Sequence, residues 1–412
     1  MITRMFKLPF SFIITGMISF VLYHVSTLVD FAGWITEYPR TSDGWYMVHL
    51  LVLGWATMIA MGAVYQLVSV VLQSAIYSEK LGFVQYGLFT LGTAGLLFAF
   101  RTAHAGWIAI CATAAFLGIM LFLWNIGATL WKSRRWNPVT LCTAAAVSYL
   151  GLTGMSGMLL GMDFHFNWLG IYHDRLFGAH VWLGMTGWFG LLIVGFSYKL
   201  LPMFLLSHHY PERLQKVIVL LWNAAVWCGV LGFMTDWGFA KSIAFLMLAG
   251  ALVLYCCHVQ QMYTVRHKPD PGAGVTWAVW AARLLAAEAV IASVSYLFIP
   301  DQLSHSFIVM MVWSYLYGWV GITMMGYLSK IVPFLWWTHK YGPQVGKTKV
   351  PTMGQLLLDR PVSTSLAILT ICLLLLLIGM GSGQGVLVGV AGSALSVAAL
   401  IYMSLIARVF TK

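Results

Sequence analysis

Charge is scarce in this sequence. Asp, Glu, Lys and Arg make up 8% of 412 residues, against roughly 25% in ordinary globular chains. That shortage excludes a sizeable soluble domain and a nucleic-acid-binding module. Cysteine is also sparse. None of the six (Cys111, Cys142, Cys228, Cys256, Cys257, Cys372) forms Cys-x-x-Cys, and no Cys-x-x-Cys-His occurs, so covalent c-type haem attachment is not expected. Free thiols inside apolar segments are the expectation for all six. Strict polar/apolar alternation is missing too, which argues against a transmembrane β-barrel.

What is abundant is apolar surface, at 60% of residues. A bilayer span takes about 20 mostly apolar residues. Apolar windows between polar breaks predict twelve helices, near 9–30, 46–77, 81–101, 105–131, 139–162, 174–207, 213–234, 239–264, 274–299, 304–337, 361–382 and 385–409. Pro39, Asn137-Pro138, Pro269-Asp270-Pro271 and Pro300-Asp301 mark breaks. Lys7 and the apolar run after it resemble a signal peptide, but without a small-x-small cleavage site they read as a retained first helix. Seventeen of the 23 Lys and Arg fall at the termini or in loops after even-numbered spans, whereas Arg40, Arg101, Arg175 and Lys241 fall on the opposite side. The positive-inside rule then places both termini in the cytoplasm of a bacterial-type membrane. The net charge of +11 reports topology and anionic lipid, with no nucleic-acid partner.

Self-similarity is the most informative pattern. The second span carries Gly54-Trp55, Gly62, Tyr65-Gln66-Leu67 and Ser69. The sixth carries Gly187-Trp188, Gly195, Tyr198-Lys199-Leu200 and Pro202. The tenth carries Gly318-Trp319, Gly326, Ser329-Lys330-Ile331 and Pro333. In each the glycines are eight apart, near one helix face, where a neighbouring backbone or a flat ligand can approach. Three matches, each four helices apart, predict three four-helix repeat units (about 1–131, 139–264 and 274–409) in an all-α, pseudo-threefold bundle. Pro near the inner end is expected to terminate or kink the helix. The fifth span adds a stripe of Gly151, Gly154, Gly157 and Gly161, which suits helix packing or makes room for a macrocycle.

Imidazole inside a span is costly without a partner, so each such histidine is a functional candidate. Seven of the twelve histidines, His24, His49, His104, His165, His173, His180 and His305, fall on or near the outer side. His49 and His180 precede the first glycine of their motifs by five and seven residues. At similar depth on neighbouring helices, they could supply axial ligands to a haem. His173, His24 and His305 are further ligand candidates. Outer-side Arg40, Arg101 and Arg175 are candidates for holding haem propionates.

With twelve spans, both termini inside and a threefold repeat, the chain resembles the catalytic subunit I of haem-copper oxidases and nitric oxide reductases. As motif, the likeness is confined to the second, sixth and tenth spans. His49 with Gly62 and Tyr65 is similar to the family's low-spin haem pattern, at slightly short spacing. His180 with Gly195, Tyr198 and Pro202 resembles it on the sixth span. The resemblance implies b-type haem bound through histidine. The departures are as specific. Where the family has His-x-His, residues 308–313 read Ile-Val-Met-Met-Val-Trp. Where it has His-His, residues 220–227 hold no histidine. Gly184 occupies the place of a reaction-centre tyrosine, and Gly381–Gly385 lacks the propionate-binding arginines. A binuclear haem–metal centre is therefore not expected, and neither is copper. The functional expectation is a haem-binding membrane protein for electron transfer, gas binding (nitric oxide or oxygen) or haem handling. The alternatives are a quinol-linked nitric oxide or oxygen reductase with atypical ligands, so that enzymatic turnover stays open, and a transporter without haem. A quinol or redox partner protein and a homo-oligomer are compatible with either.

Overall fold

In the computed structural model the apolar runs are helices. The structure describes residues 7–36, 40–72, 75–298 and 305–412, with side chains over 7–28, 40–68, 75–294 and 307–412. Pro39, Pro300, Asp301 and the side chains of Ser69 and His305 lie outside the described residues. Among the described residues, twelve helices are long and apolar enough to cross a membrane: α1 (Lys7–Leu28), α2 (Ser42–Val68), α3 (Glu79–Arg101), α4 (Ala105–Ser133), α5 (Pro138–Phe166), α6 (Tyr172–Leu205), α7 (Arg213–Met234), α8 (Gly238–Thr264), α9 (Ala273–Val294), α10 (Phe307–Lys340), α11 (Asp359–Gly381) and α12 (Gly385–Thr411). No strand occurs among the described residues. The chain is an all-α, multi-span membrane protein.

Caps explain where the helices start. Thr41 accepts a hydrogen bond from the Gly44 N–H, and Asp43 sits in the first turn of α2. The helix therefore begins four residues before its apolar window, because its first turn is polar. Asn137 and Thr140 close a capping box with Pro138 at the start of α5. All six cysteines are free as expected, although Cys257 is exposed on the surface of its helix.

The three repeat helices share a local distortion. In α2, residues Leu50–Thr57 form a π-helical segment; in α6, Leu183–Gly190; in α10, Ser314–Gly321. The Gly-Trp pair occupies the same two positions within each segment, and Gly62, Gly195 and Gly326 follow each segment by the same interval. π-Helical turns are rare and collect at functional sites. The second glycines have a common purpose. A Cβ at Gly62 would stand 2.9 Å from the Pro9 carbonyl oxygen near the start of α1. One at Gly195 would collide with Cys142 near the start of α5, and one at Gly326 with Gly274 near the start of α9. Each long helix thus lets the preceding helix approach at a glycine. Pro333 lies inside its helix, which continues to Lys340, whereas Pro202 lies just before the left-handed cap at Leu206.

Contacts divide the chain into two compact units. The first comprises Met1–Gln66, Asp270–Ala281 and Leu303–Lys412; the second comprises Leu67–Pro269 and Ala282–Gln302. In the first, α1 packs on the π segment of α2 and on α12, and α11 packs on α12. In the second, α3, α4 and α5 pack in sequence, α5 lies against α6, and α7 pairs with α8 and α6. Three glycines of the α5 stripe serve this packing: Gly151 faces Leu123, Gly154 faces Ile119 and Phe116, and Gly161 faces Ala112, all on α4.

Candidate functional site

His180 lies on α6, three residues before its π segment. Its Nδ1 is 3.0 Å from the Thr153 carbonyl oxygen and 3.1 Å from Ser156 Oγ. Ser156 donates its own O–H to that same carbonyl at 2.9 Å. A carbonyl only accepts, so Nδ1 carries the proton and the lone pair is on Nε2. The fourth glycine of the α5 stripe makes the space: a Cβ at Gly157 would stand 2.9 Å from His180 Cε1. The ring is half-buried.

His49, in the first unit, is the last residue before the α2 π segment. Its Nδ1 donates to the Trp45 carbonyl oxygen at 2.8 Å, one turn back on the same helix. The tautomer is again fixed with the lone pair on Nε2. Such a bond at the far ring nitrogen is how proteins orient a metal-ligating imidazole and raise its basicity. Six and eight residues further on, Trp55 and Trp188 hold buried indole N–H groups that meet no acceptor among the described residues. A buried donor in that condition calls for an explanation, a bound polar group among them.

The other histidines are held differently. His24 is fully buried on α1, and both ring nitrogens are engaged: Nε2 with the Tyr317 hydroxyl at 3.0 Å and Nδ1 with Ser396 Oγ at 3.3 Å. Ser396 in turn meets Thr27 Oγ1 at 2.9 Å. His173 is clasped by Asp163, Nδ1 to Oδ2 at 2.7 Å. The other oxygen of Asp163 accepts the Trp168 and Leu169 N–H groups at 2.8 and 2.7 Å, so this cluster closes the α5–α6 loop. His104 caps α4, accepting the Trp107 N–H on Nδ1. Buried His258 pairs with Gln215 at 3.0 Å.

Of the arginines, Arg40 is exposed just before α2 and Arg101 is the exposed last residue of α3. Arg175 is half-buried in the first turns of α6, its guanidinium 5.5 Å from the Tyr172 ring centre. At the same end of the second unit, the Lys241 ammonium 2.6 Å from Asp236 holds that carboxyl below its usual range, and Arg175 adds to the effect.

Among the described residues, no three His, Cys, Asp or Glu side chains gather as a protein-held metal ion would require. Haem asks less of the chain, because the macrocycle supplies most of the ligands and the protein one or two. Imidazoles oriented through Nδ1 suit that demand. The partners that fix His180, namely Ser156, Thr153 and Gly157, had no signal in sequence beyond the glycine stripe. No family model matches the chain, and no curated protein matches it.

Proposed function

We propose that this protein binds b-type haem through His49 and His180, for electron transfer or for binding a small gas such as nitric oxide or oxygen. The observation that carries the reading is the shared state of the two rings. Each donates Nδ1–H to a backbone carbonyl, which orients the ring, and each stands beside a π segment of the repeat. Haem, when bound, supplies a one-electron couple and an iron that takes axial ligands. The chain's part is to fix the rings. The Trp45 carbonyl orients His49, and the Thr153 carbonyl and Ser156 orient His180. Gly157 leaves the space that the His180 ring fills. The bias of the basic residues supports an orientation with both termini, and the end of α8, on the cytoplasmic side.

The test is a visible spectrum of the protein purified from haem-competent cells, oxidised and reduced, with pyridine extraction. An iron held by a single imidazole leaves a position that carbon monoxide fills with a spectral shift. His49→Ala and His180→Ala are each expected to weaken or shift the Soret band. A preparation with no Soret band and no extractable haem rules the reading out, and unchanged spectra in both variants move the ligands elsewhere.

A further inference from the structure

A second site lies wholly within the second unit, on the surface of α8 and α9. Val253, Cys256, Cys257 and Gln260 form one stripe of α8, and Arg283, Ala286, Ala287, Val290 and Ile291 a matching stripe of α9. Their spacing by three and four residues puts each set on one helix face. Between them runs an open groove of about 520 Å³. Its wall is apolar and outward-facing: Val253, Val290 and Ile291 are exposed. Charge is confined to one end. Arg283 lies ten residues into α9, about 15 Å along the helix at 1.5 Å per residue. Its guanidinium reaches Gln260 Oε1 at 2.8 Å, and Gln260 is only about 6 Å from the end of α8 by the same rise. The side chain therefore climbs toward the membrane surface, as a long cation does.

It shares an aromatic neighbour with a second cation. The Tyr263 ring has the Arg266 guanidinium 5.5 Å from its centre and the Arg283 guanidinium 5.9 Å from it. Arg266 spends one donor on the Tyr263 carbonyl at 2.8 Å and is otherwise exposed. Accepting from Arg283 through Oε1 leaves the Gln260 amide as a donor. Two guanidinium forks and an amide at the head of an apolar, lipid-facing groove match a phosphate above a hydrocarbon chain.

We propose that this groove is a binding site for one anionic phospholipid, its phosphate held by Arg266 and Arg283 and an acyl chain lying along Val253, Val290 and Ile291. The site is independent of haem.

Native mass spectrometry of the full chain, released from detergent with phosphatidylglycerol or phosphatidylcholine of identical acyl chains, tests it. Wild type is expected to retain one phosphatidylglycerol at least ten-fold better than phosphatidylcholine. The double variant Arg266→Gln/Arg283→Gln loses that preference. Val290→Trp, at an exposed position, fills the groove and is expected to lose the phosphatidylglycerol adduct with both arginines intact and an unchanged melting temperature. Equal retention of the two lipids overturns the proposal. So does a preference that survives both variants, or a rise in melting temperature with inorganic phosphate equal to that with phosphatidylglycerol.

Discussion

Gly274 and Gly326 meet backbone to backbone. A Cβ on Gly326 would stand 3.0 Å from the Gly274 carbonyl carbon and closer still to its oxygen; one on Gly274 would stand 2.9 Å from the Gly326 carbonyl carbon. Neither neighbour is a flexible side chain that can swing away, so the helices themselves must part. Gly326→Ala is expected to lower stability by about 1–3 kcal/mol, the range for overpacking a tight contact. Gly87→Ala, where nothing lies within 4 Å, serves as the control and is expected to be neutral or slightly stabilising, since Ala outranks Gly in a helix. Thermal unfolding in detergent distinguishes them; equal melting temperatures would mean that the contact is not tight.

Those glycines show what the sequence could and could not tell. A backbone contact tolerates only glycine, so the eight-residue spacing in the three long helices was visible as letters. The twelve spans were visible because apolar runs stop at breaks such as Asn137-Pro138, where Asn137 caps the next helix and Pro138 suits its first position. The π segments were marked only indirectly: the repeated Gly-Trp pair lies in each of residues 50–57, 183–190 and 314–321, but that pair in an apolar run does not by itself announce π-helical bonding. The polar first turn of α2 was missed for the converse reason, since hydropathy does not see a Thr cap. At the candidate site, His49 and His180 stood out as imidazoles in spans. What holds His180 did not, because Thr153 and Ser156 belong to another helix.

Gly157 gives a way to move His180 without removing it. Gly157→Ala places a methyl group 2.9 Å from Cε1 and 3.3 Å from Nδ1 of the ring. The ring must tilt away from the Thr153 carbonyl, which weakens its orientation toward any iron. A shifted Soret band and a raised haem loss rate are expected in Gly157→Ala, in the same direction as His180→Ala but smaller. A spectrum identical to wild type, from a variant of unchanged melting temperature, would count against His180 as a ligand.

Asp236 predicts a pH dependence. It adopts a left-handed backbone conformation, φ +55°, which Asp tolerates better than most residues. Its carboxyl is held below the ordinary value chiefly by Lys241. A depressed folded-state pKa contributes stability above the unfolded value, about 3.9, and that contribution is lost as pH falls through the folded value. The group is exposed, so the effect is small. Melting temperature measured from pH 6 down to pH 3 is expected to fall less steeply in Asp236→Asn than in wild type. Asn keeps the tolerance for positive φ, so backbone strain does not confuse the comparison. Parallel curves would remove the pair from the acid response.

His24 and Tyr317 separate a structural histidine from a ligating one. Both are fully buried. With the Tyr317 hydroxyl donating to Nε2, Nδ1–H to Ser396, Ser396 to Thr27 and Thr27 to the Tyr23 carbonyl, every donor in the chain finds an acceptor. Tyr317→Phe keeps the ring but removes the donor to Nε2, leaving a buried nitrogen unsatisfied at a cost of about 1–3 kcal/mol. His24→Ala adds a cavity and is expected to cost more. Neither is expected to change a haem spectrum, because Nε2 is spent on the hydroxyl. A Soret shift in Tyr317→Phe as large as that in His180→Ala would instead make His24 a ligand whose hydroxyl partner tunes it. Unfolding and spectra measured on the same preparations decide between the two roles.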